Sequence, residues 1–441
     1  MTQILVLGAG KSSGSLIQYL GKWCSSQNIG FTVADIDQSL IEEKTIGLTN
    51  CKKVKIEENN DLQLETIVSE STIVVSLLPV FMHLKIAKLC IKYGKHMATA
   101  SYVSPEIRSL ENEIKEKKLC FLFELGVDPG IDHLSAKKLI DEIKSEGGEI
   151  ESFKSYTGAL LHPNSEEVNP WKYLFTWNPR NVVLAGQGSW AKFKEKGQIK
   201  YLPYSRLFKE TTSIQLDNLG KFEAYINRDS LEYEKAFGLE NCQTIIRGTL
   251  RRPFFAEAWN VLVYLGITSD NIQIPIAANT SIKTFYKQIC GLEDFTKNEI
   301  EQKTGFFIHE NAWKNIEFLE LNSKNILPIG TFTPAQILEQ ILTEKLKFET
   351  HHQDRVVMCH IIQYTKNNVS KQRTSYLSIN GSKEQTAISS SVGLPLAMGV
   401  KQIVQKKFQK IGIHIPIYKE LYEPILAELE TFGIKFYEIT S

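Results

Sequence analysis

An apolar run, Gln3-Ile4-Leu5-Val6-Leu7, leads directly into Gly8-Ala9-Gly10-Lys11-Ser12-Ser13-Gly14, and a helical stripe of Leu16, Ile17 and Leu20 follows. Strand, glycine turn and helix in that order suit the pyrophosphate of a dinucleotide. The turn must be tight, its backbone must approach a phosphate that a Cβ would block, and the first N–H groups of the helix face the anion. Gly8 and Gly10 fill the first two glycine positions; Ser13 holds the third and Gly14 follows it. A second strand pattern, Phe31-Thr32-Val33-Ala34-Asp35, ends in an acid 22 residues beyond Ser13, where a carboxylate can bond the adenosine ribose hydroxyls. An acid there repels a 2′-phosphate, so NAD is expected over NADP. Cofactor contacts are expected from Gly8, Gly10, Lys11, Ser12, Ser13 and Asp35. The same pattern also describes a doubly wound domain without nucleotide, with Asp35 a plain strand-end acid.

Three later segments stand at the carboxyl ends of further strand patterns, where parallel sheets place their ligands. They are Ser76-Leu77-Leu78-Pro79, the run from Thr99 to Pro105, and the run from Glu124 to His133. Their prolines and glycines mark shaped loops. Tyr102 and Asp128 can converge there near a nicotinamide ring, with Ser76, Leu77, Thr99, Ala100 and Val127 as further cofactor contacts. A carboxylate so placed can accept a proton or activate water. Asp128 can equally cap the helix that begins near Ile131, and Tyr102 can be a packed aromatic with its hydroxyl satisfied.

The elements that must position these residues alternate. Residues 73–78, 96–100 and 119–123 read as strands; Ile86, Ala87, Cys90 and Ile91 mark one helix, and another is expected over 105–117. That rhythm predicts an α/β domain with a parallel doubly wound sheet. Beyond residue 130 it changes. Ile131, Leu134, Leu139, Ile140 and Ile143 form a long amphipathic helix, then 151–158, 184–190, 222–226 and 244–250 read as strands without regular crossovers. Residues 254–345 are richer in helical patterns, and strands return near 355–364 and 373–379. An α+β domain with a helical insertion fits this second part.

Composition bounds the rest. At 441 residues the chain exceeds one typical core. Lys+Arg of 51 against Asp+Glu of 50 gives no generalised nucleic-acid surface. No apolar run reaches a membrane span, and the motif at residue 3 leaves no room for a targeting peptide, so a cytoplasmic protein is expected. The seven cysteines are scattered without a Cys-x-x-Cys pair, and His351-His352 lacks the spacing of a helical metal site, so neither disulfides nor a metal is expected.

On the residues of these segments the chain resembles the saccharopine reductase family, the L-glutamate-forming saccharopine dehydrogenases. The resemblance runs nearly end to end. It rests on SLLP at 76–79, TASYVSP at 99–105, ELGVDPGIDH at 124–133, NP..Y.F.W from Asn169 to Trp177, NRDS at 227–230, IRGTLR at 246–251 and VGLPLAM at 392–398. It implies a Rossmann domain of residues 1–130 completed by about 390–441. It also implies an α+β substrate and dimerisation domain of 131–253 plus about 346–389, and a helical subdomain of 254–345. The implied reaction is oxidative cleavage of saccharopine to glutamate and 2-aminoadipate 6-semialdehyde, or its reverse, by a homodimer. Tyr102 and Asp128 match residues that contact saccharopine and have been considered for acid–base roles. Ser101, Arg228, Arg247, Gly248 and Thr249 match carboxylate-binding positions, and Thr176 a cofactor contact. Guanidinium forks suit carboxylates, although an interdomain salt bridge would use the same arginines.

Two departures stand out. Familiar members carry a site-lining cysteine in a CGGLPAPE stretch, where this chain has Thr157-Gly158-Ala159-Leu160-Leu161-His162-Pro163-Asn164. A threonine hydroxyl does not ionise near neutral pH, and His162 is the new titratable group. The fungal NADP-binding arginine is also absent, with Asp35, Ile36 and Asp37 in that region, which favours NAD and lysine degradation. Two alternatives stay open: a related oxidoreductase for a carboxynorspermidine-like amine, and a nucleotide-binding protein without catalysis.

Overall fold

Val, Ile and Leu crowd the first strands because a parallel sheet is covered on both faces. In the computed structural model, which describes residues 2–58, 60–188, 190–226 and 229–441, β1 (Gln3–Leu7), β2 (Gly30–Asp35), β3 (Cys51–Lys55), β4 (Ile73–Ser76), β5 (His96–Ala98) and β6 (Cys120–Leu122) form one sheet with a late strand, Gly412–His414. The order is Gly412–His414, β6, β5, β4, β1, β2, β3, and every pair is parallel. The chain starts at β1, runs outward to β3, then returns to β4 on the other side of β1. That reversal is a topological switch point, and it sets the glycine turn at the end of β1 where ligands bind in such sheets.

Helix α1 (Gly14–Gln27) buries Leu16, Ile17 and Leu20. Against it lies the helix Ala387–Val404. A Cβ on Gly393 would fall 2.7 Å from the Leu16 nitrogen, so only glycine allows this approach. Ser389 Oγ accepts from the Ser15 N–H at 3.1 Å. The helix Ala387–Val404 is long and apolar enough to cross a bilayer by length and composition, but it is a core helix, 78% buried.

The expected helix over 105–117 is two, Pro105–Arg108 and Glu111–Glu116. Ser109 Oγ donates back to the Glu106 carbonyl at 2.7 Å, a side-chain bond that competes with helix continuation. Among the described residues of 184–190 no strand forms. Asn178 instead caps a helix, Pro179–Val183, and Gly186 and Gly188 adopt positive φ, which ends any strand there. The strands come just after, at Ala191–Glu195 and Gln198–Leu202.

The chain divides into two compact units, one up to Glu149 together with Leu377–Tyr437, the other Ile150–Tyr376 with Glu438–Ser441. These borders differ from those expected. The helix Ile131–Ser145 belongs to the first unit, where Tyr422 donates its hydroxyl to Asp141 Oδ2 at 3.0 Å. The last strand, Tyr437–Thr440, joins the sheet of the second unit, and Ser441 N–H donates to the Gln372 carbonyl at 2.9 Å.

The second unit holds strands in the order Thr211–Leu216, Gly220–Ile226, Thr244–Arg251, Glu149–Leu161, Asp354–Lys366, Val369–Asn380, Tyr437–Thr440. Thr244–Arg251 runs parallel to Glu149–Leu161 and antiparallel to Gly220–Ile226. Helices of residues 254–345, such as Phe255–Tyr264 and Pro334–Lys345, share one hydrophobic cluster with this sheet through Leu262, Ile337, Leu338, Phe222 and Leu250. They form no separate compact unit.

Candidate active site

Gly8 has φ +105°, and a Cβ on it would meet the Leu77 backbone at 3.0 Å. Its freedom therefore lets the ends of β1 and β4 close on each other. Gly10 differs: a Cβ there would meet nothing within 4 Å, so the turn leaves open space beside its backbone. Ser13 does not cap the N-terminus of α1 with its side chain, and although Ser389 Oγ takes the Ser15 N–H, the positive end of the helix dipole faces an anion at this turn. These features fit a dinucleotide pyrophosphate. Asp35 closes the cradle: Oδ2 accepts from the Ala9 N–H at 2.6 Å and Oδ1 from the Asp37 N–H at 2.9 Å. The carboxylate thus both braces the turn and stands at the end of β2. Lys11 is exposed and Ser12 half-buried in the same turn.

Two of the expected hydroxyl contacts are otherwise engaged. Ser13 Oγ donates to the Gly10 carbonyl at 2.8 Å, and buried Ser76 Oγ lies 3.0 Å from His83 Nδ1. Both support the backbone of the cradle. Leu77 follows Ser76, and its N–H donates to the Leu7 carbonyl at 2.8 Å.

The two strand-end loops after β5 and β6 are locked together. Gly126 N–H donates to the Pro129 carbonyl at 2.8 Å. A Cβ on Gly130, at φ +146°, would lie 2.0 Å from the Gly126 oxygen, and a Cβ on Gly126 would meet Ala100 at 3.0 Å. Thr99 Oγ1 accepts from the Ser101 N–H at 3.3 Å, and the Thr99 carbonyl accepts from the Leu125 N–H at 3.3 Å. The loops thereby bring Tyr102 to Asp128, with the hydroxyl 3.3 Å from Oδ1; Val127 precedes Asp128 in the same turn. The helix Ile131–Ser145 starts from Gly130 without a side-chain cap, and Asp132 Oδ1 accepts from the Gly130 N–H at 2.6 Å.

Four buried polar residues around these loops were not singled out from sequence: His83, Glu124, Asp132 and His133. His83 Nε2 lies 2.8 Å from Ser101 Oγ, and burial pushes its imidazole down to about 4. Glu124 Oε1 accepts from the Val103 N–H at 3.1 Å, and Oε2 lies 3.0 Å from His133 Nε2. His133 Nδ1 is 3.4 Å from Asp132 Oδ2. Glu124, Asp132 and His133 stand within a segment already picked out, but nothing in their spacing reports a partner.

In the second unit, Arg247 and Thr249 share one face of Thr244–Arg251, since alternate residues of a strand do. Their partners in register on the neighbouring strand are Ser155 and Thr157, so a polar stripe crosses the sheet. The Arg247 guanidinium lies over the Tyr233 ring at 4.5 Å, and Ser230 Oγ accepts its backbone N–H at 2.9 Å. Gly248 is set by packing, because a Cβ would stand 2.6 Å from the Tyr225 oxygen. The buried Thr157 Oγ1 has no hydrogen-bond partner among the described residues. His162 Nδ1 accepts from the Asn164 N–H at 3.2 Å, a turn-capping role. Thr176 is buried in this unit, on the loop where Trp171 Nε1 donates to the Asn315 carbonyl at 2.7 Å. Arg228 lies outside the described residues.

Two family models match the chain. Residues 126–434 match the saccharopine dehydrogenase C-terminal domain, and residues 4–122 the saccharopine dehydrogenase NADP binding domain. A saccharopine dehydrogenase (NADP(+), L-glutamate-forming) of Schizosaccharomyces pombe is 31% identical, covering 99% of this chain and 99% of its own length. The alpha-aminoadipic semialdehyde synthase of Arabidopsis thaliana is 30% identical over 99% of this chain but only 44% of its own length, so the chain spans less than half of that relative. Among solved structures, apo saccharopine dehydrogenase (L-Glu forming) from Saccharomyces cerevisiae superposes over the whole of both chains, with TM-score 0.87 and 27% identity.

Proposed function

The chain belongs to the saccharopine dehydrogenase family, and from that premise we propose that it interconverts saccharopine with L-glutamate and 2-aminoadipate 6-semialdehyde, running in lysine degradation. The observation that carries this reading is the Tyr102–Asp128 pair, held 3.3 Å apart by two strand-end loops of a dinucleotide-binding sheet. The turn of Gly8 and Gly10 with Asp35 would hold a nicotinamide dinucleotide, which would supply a hydride acceptor for the carbon beside the substrate amine. Asp128 accepts the proton of the substrate ammonium and releases it to solvent. Ionised again, it takes a proton from the water that adds to the imine and gives it to the departing nitrogen as the carbinolamine collapses to amine and aldehyde, the hydroxyl proton leaving to solvent. Tyr102 donates to Asp128 and orients that carboxylate. The resemblance assigns substrate carboxylates to Arg228 and Arg247, whose guanidinium groups suit them, and substrate contacts to Ser101, Gly248 and Thr249.

A nicotinamide nucleotide is the cofactor of the family, and its choice is the finer question. The matching domain and the fungal relative carry NADP in their names. In this chain Asp35 and Asp37 stand together at the end of β2, and their carboxylates favour ribose hydroxyls over a 2′-phosphate. We infer NAD on that ground. All seven cysteines are free, which supports a reducing cytoplasmic setting. Family resemblance supports a homodimer, which light scattering on the purified protein reads directly.

The deciding experiment follows reduced cofactor formed from saccharopine, with NAD and NADP side by side. Turnover with NAD upholds the whole reading. Turnover with NADP alone keeps the reaction and overturns the cofactor. Silence with both, together with turnover of a carboxynorspermidine-like amine, would trace to the Thr157 stripe and a different C–N substrate.

A further inference from the structure

Tyr102 stands on a loop between β5 and the helix Pro105–Arg108, and no regular element fixes its backbone. Buried polar side chains do so from both sides. On the amino side, Ser101 Oγ is 2.8 Å from His83 Nε2, and His83 Nδ1 is 3.0 Å from Ser76 Oγ at the end of β4. On the carboxyl side, the Val103 N–H donates to Glu124 Oε1 at 3.1 Å, and the Glu124 N–H donates to the Ser101 carbonyl at 3.1 Å. Glu124 Oε2 in turn meets His133 Nε2 at 3.0 Å. His83 is 3% exposed, and Glu124 and His133 are fully buried. Glu124 also holds φ +59°, a left-handed conformation that a residue with a Cβ keeps only where its surroundings impose it. A buried imidazole and a buried carboxylate are expensive unless their bonds serve something. What these bonds share is the pair of residues that flank Tyr102.

We propose that His83 and Glu124 are positioning residues for Tyr102, clamping Ser101 and Val103 so that the hydroxyl between them stays against Asp128. The proposal rests on the assignment of Tyr102 and Asp128 to the reacting centre made above. It also gives the otherwise unassigned His83 a second role, as the strut between Ser76, at the end of β4, and the loop after β5. Burial pushes the His83 imidazole down to about 4, so it is neutral at working pH. It then offers one N–H donor and one lone pair, one to each serine, and no charge change as the reaction runs. A misplacement of about 1 Å in a reacting group can lower a rate some hundredfold, so loosening this clamp is expected to be visible in turnover rather than in binding.

The test compares H83A, H83Q, E124Q and Y102F in the full-length chain, with the doubles H83A/Y102F and E124Q/Y102F. We expect H83A and E124Q to melt as cooperative folded proteins and to lose about 10- to 100-fold in kcat. Saccharopine KM and dinucleotide Kd are expected to stay within about threefold, with H83Q recovering most of the H83A loss. Because the clamp acts through Tyr102, each double is expected to be no slower than Y102F. A folded H83A or E124Q with wild-type kcat overturns the proposal, as do losses that multiply with Y102F. Wild-type turnover by Y102F overturns the assignment of Tyr102 itself and the proposal with it, whereas a slow Y102F beside a wild-type-fast H83A overturns the proposal alone. If H83A does not fold, E124Q and its double carry the same test.

Discussion

The Tyr102 hydroxyl donates to Asp128 Oδ1 across 3.3 Å, although the two residues sit on loops that follow different strands. Asp128→Asn keeps the shape and the acceptor oxygen but cannot take a proton. Its kcat is expected to fall about 10²- to 10⁴-fold, with a smaller change in saccharopine KM. Steady-state rates over a pH series check this; full kcat at every pH would remove the acid–base role.

Two glycines of the first unit give opposite phenotypes. Gly130→Ala puts a Cβ 2.0 Å from the Gly126 oxygen at a left-handed φ, so the loop must open and the protein should lose several kcal/mol or fail to fold. Gly10→Ala meets nothing within 4 Å and should melt like the parent. The same methyl enters the space we assign to a pyrophosphate, so dinucleotide affinity should drop at least tenfold. Thermal melts and a fluorescence titration with reduced dinucleotide separate the two effects.

Asp35→Arg should shift the ratio of kcat/KM for NAD over NADP toward NADP by about tenfold or more, since it exchanges an anion for a cation at the end of β2. It also removes the carboxylate that accepts the Ala9 N–H, so total activity should fall with both. An unchanged ratio would end the ribose assignment.

His83 also predicts a pH dependence of stability. Its folded value of about 4 lies below the usual 6.5, because burial disfavours the cation. Between those limits the unfolded chain binds the extra proton, so stability is flat above about pH 6.5 and declines as pH falls toward 4. Urea midpoints across that range should show the decline, and H83Q should flatten it relative to wild type.

The buried Thr157 Oγ1 makes no hydrogen bond among the described residues. Thr157→Val, nearly the same shape, should therefore match or slightly exceed the parent in melting temperature. If the hydroxyl serves the substrate, the same variant raises saccharopine KM several-fold, and a Michaelis curve checks it.

How much of this was legible in the sequence differs from element to element. β1 and β2 could be read nearly to the residue because apolar runs bounded by glycines and an acid leave little freedom. The strand expected over 184–190 failed because two glycines at positive φ outweighed its apolar residues. In the site, Tyr102 and Asp128 could be read as a pair because strand-end loops of one sheet must converge. His83 could not. Its two partners lie 7 and 18 residues away along the chain, and only the packing of the ends of β4 and β5 makes it a bridge. Arg247 is expected by resemblance at a carboxylate-binding position, and its stacking on Tyr233 depends on a turn that no local pattern announces.

The helix Ala387–Val404 closes over α1 through Gly393, although most of the other unit is encoded between them. Synthesis is vectorial, and chains emerge at roughly 5–20 residues per second. The nascent nucleotide-binding half must therefore wait tens of seconds with Leu16 and its neighbours uncovered. During that interval the exposed apolar face is a target for holdase chaperones. A product cut short before Ala387 would lack the helix that packs against Leu16.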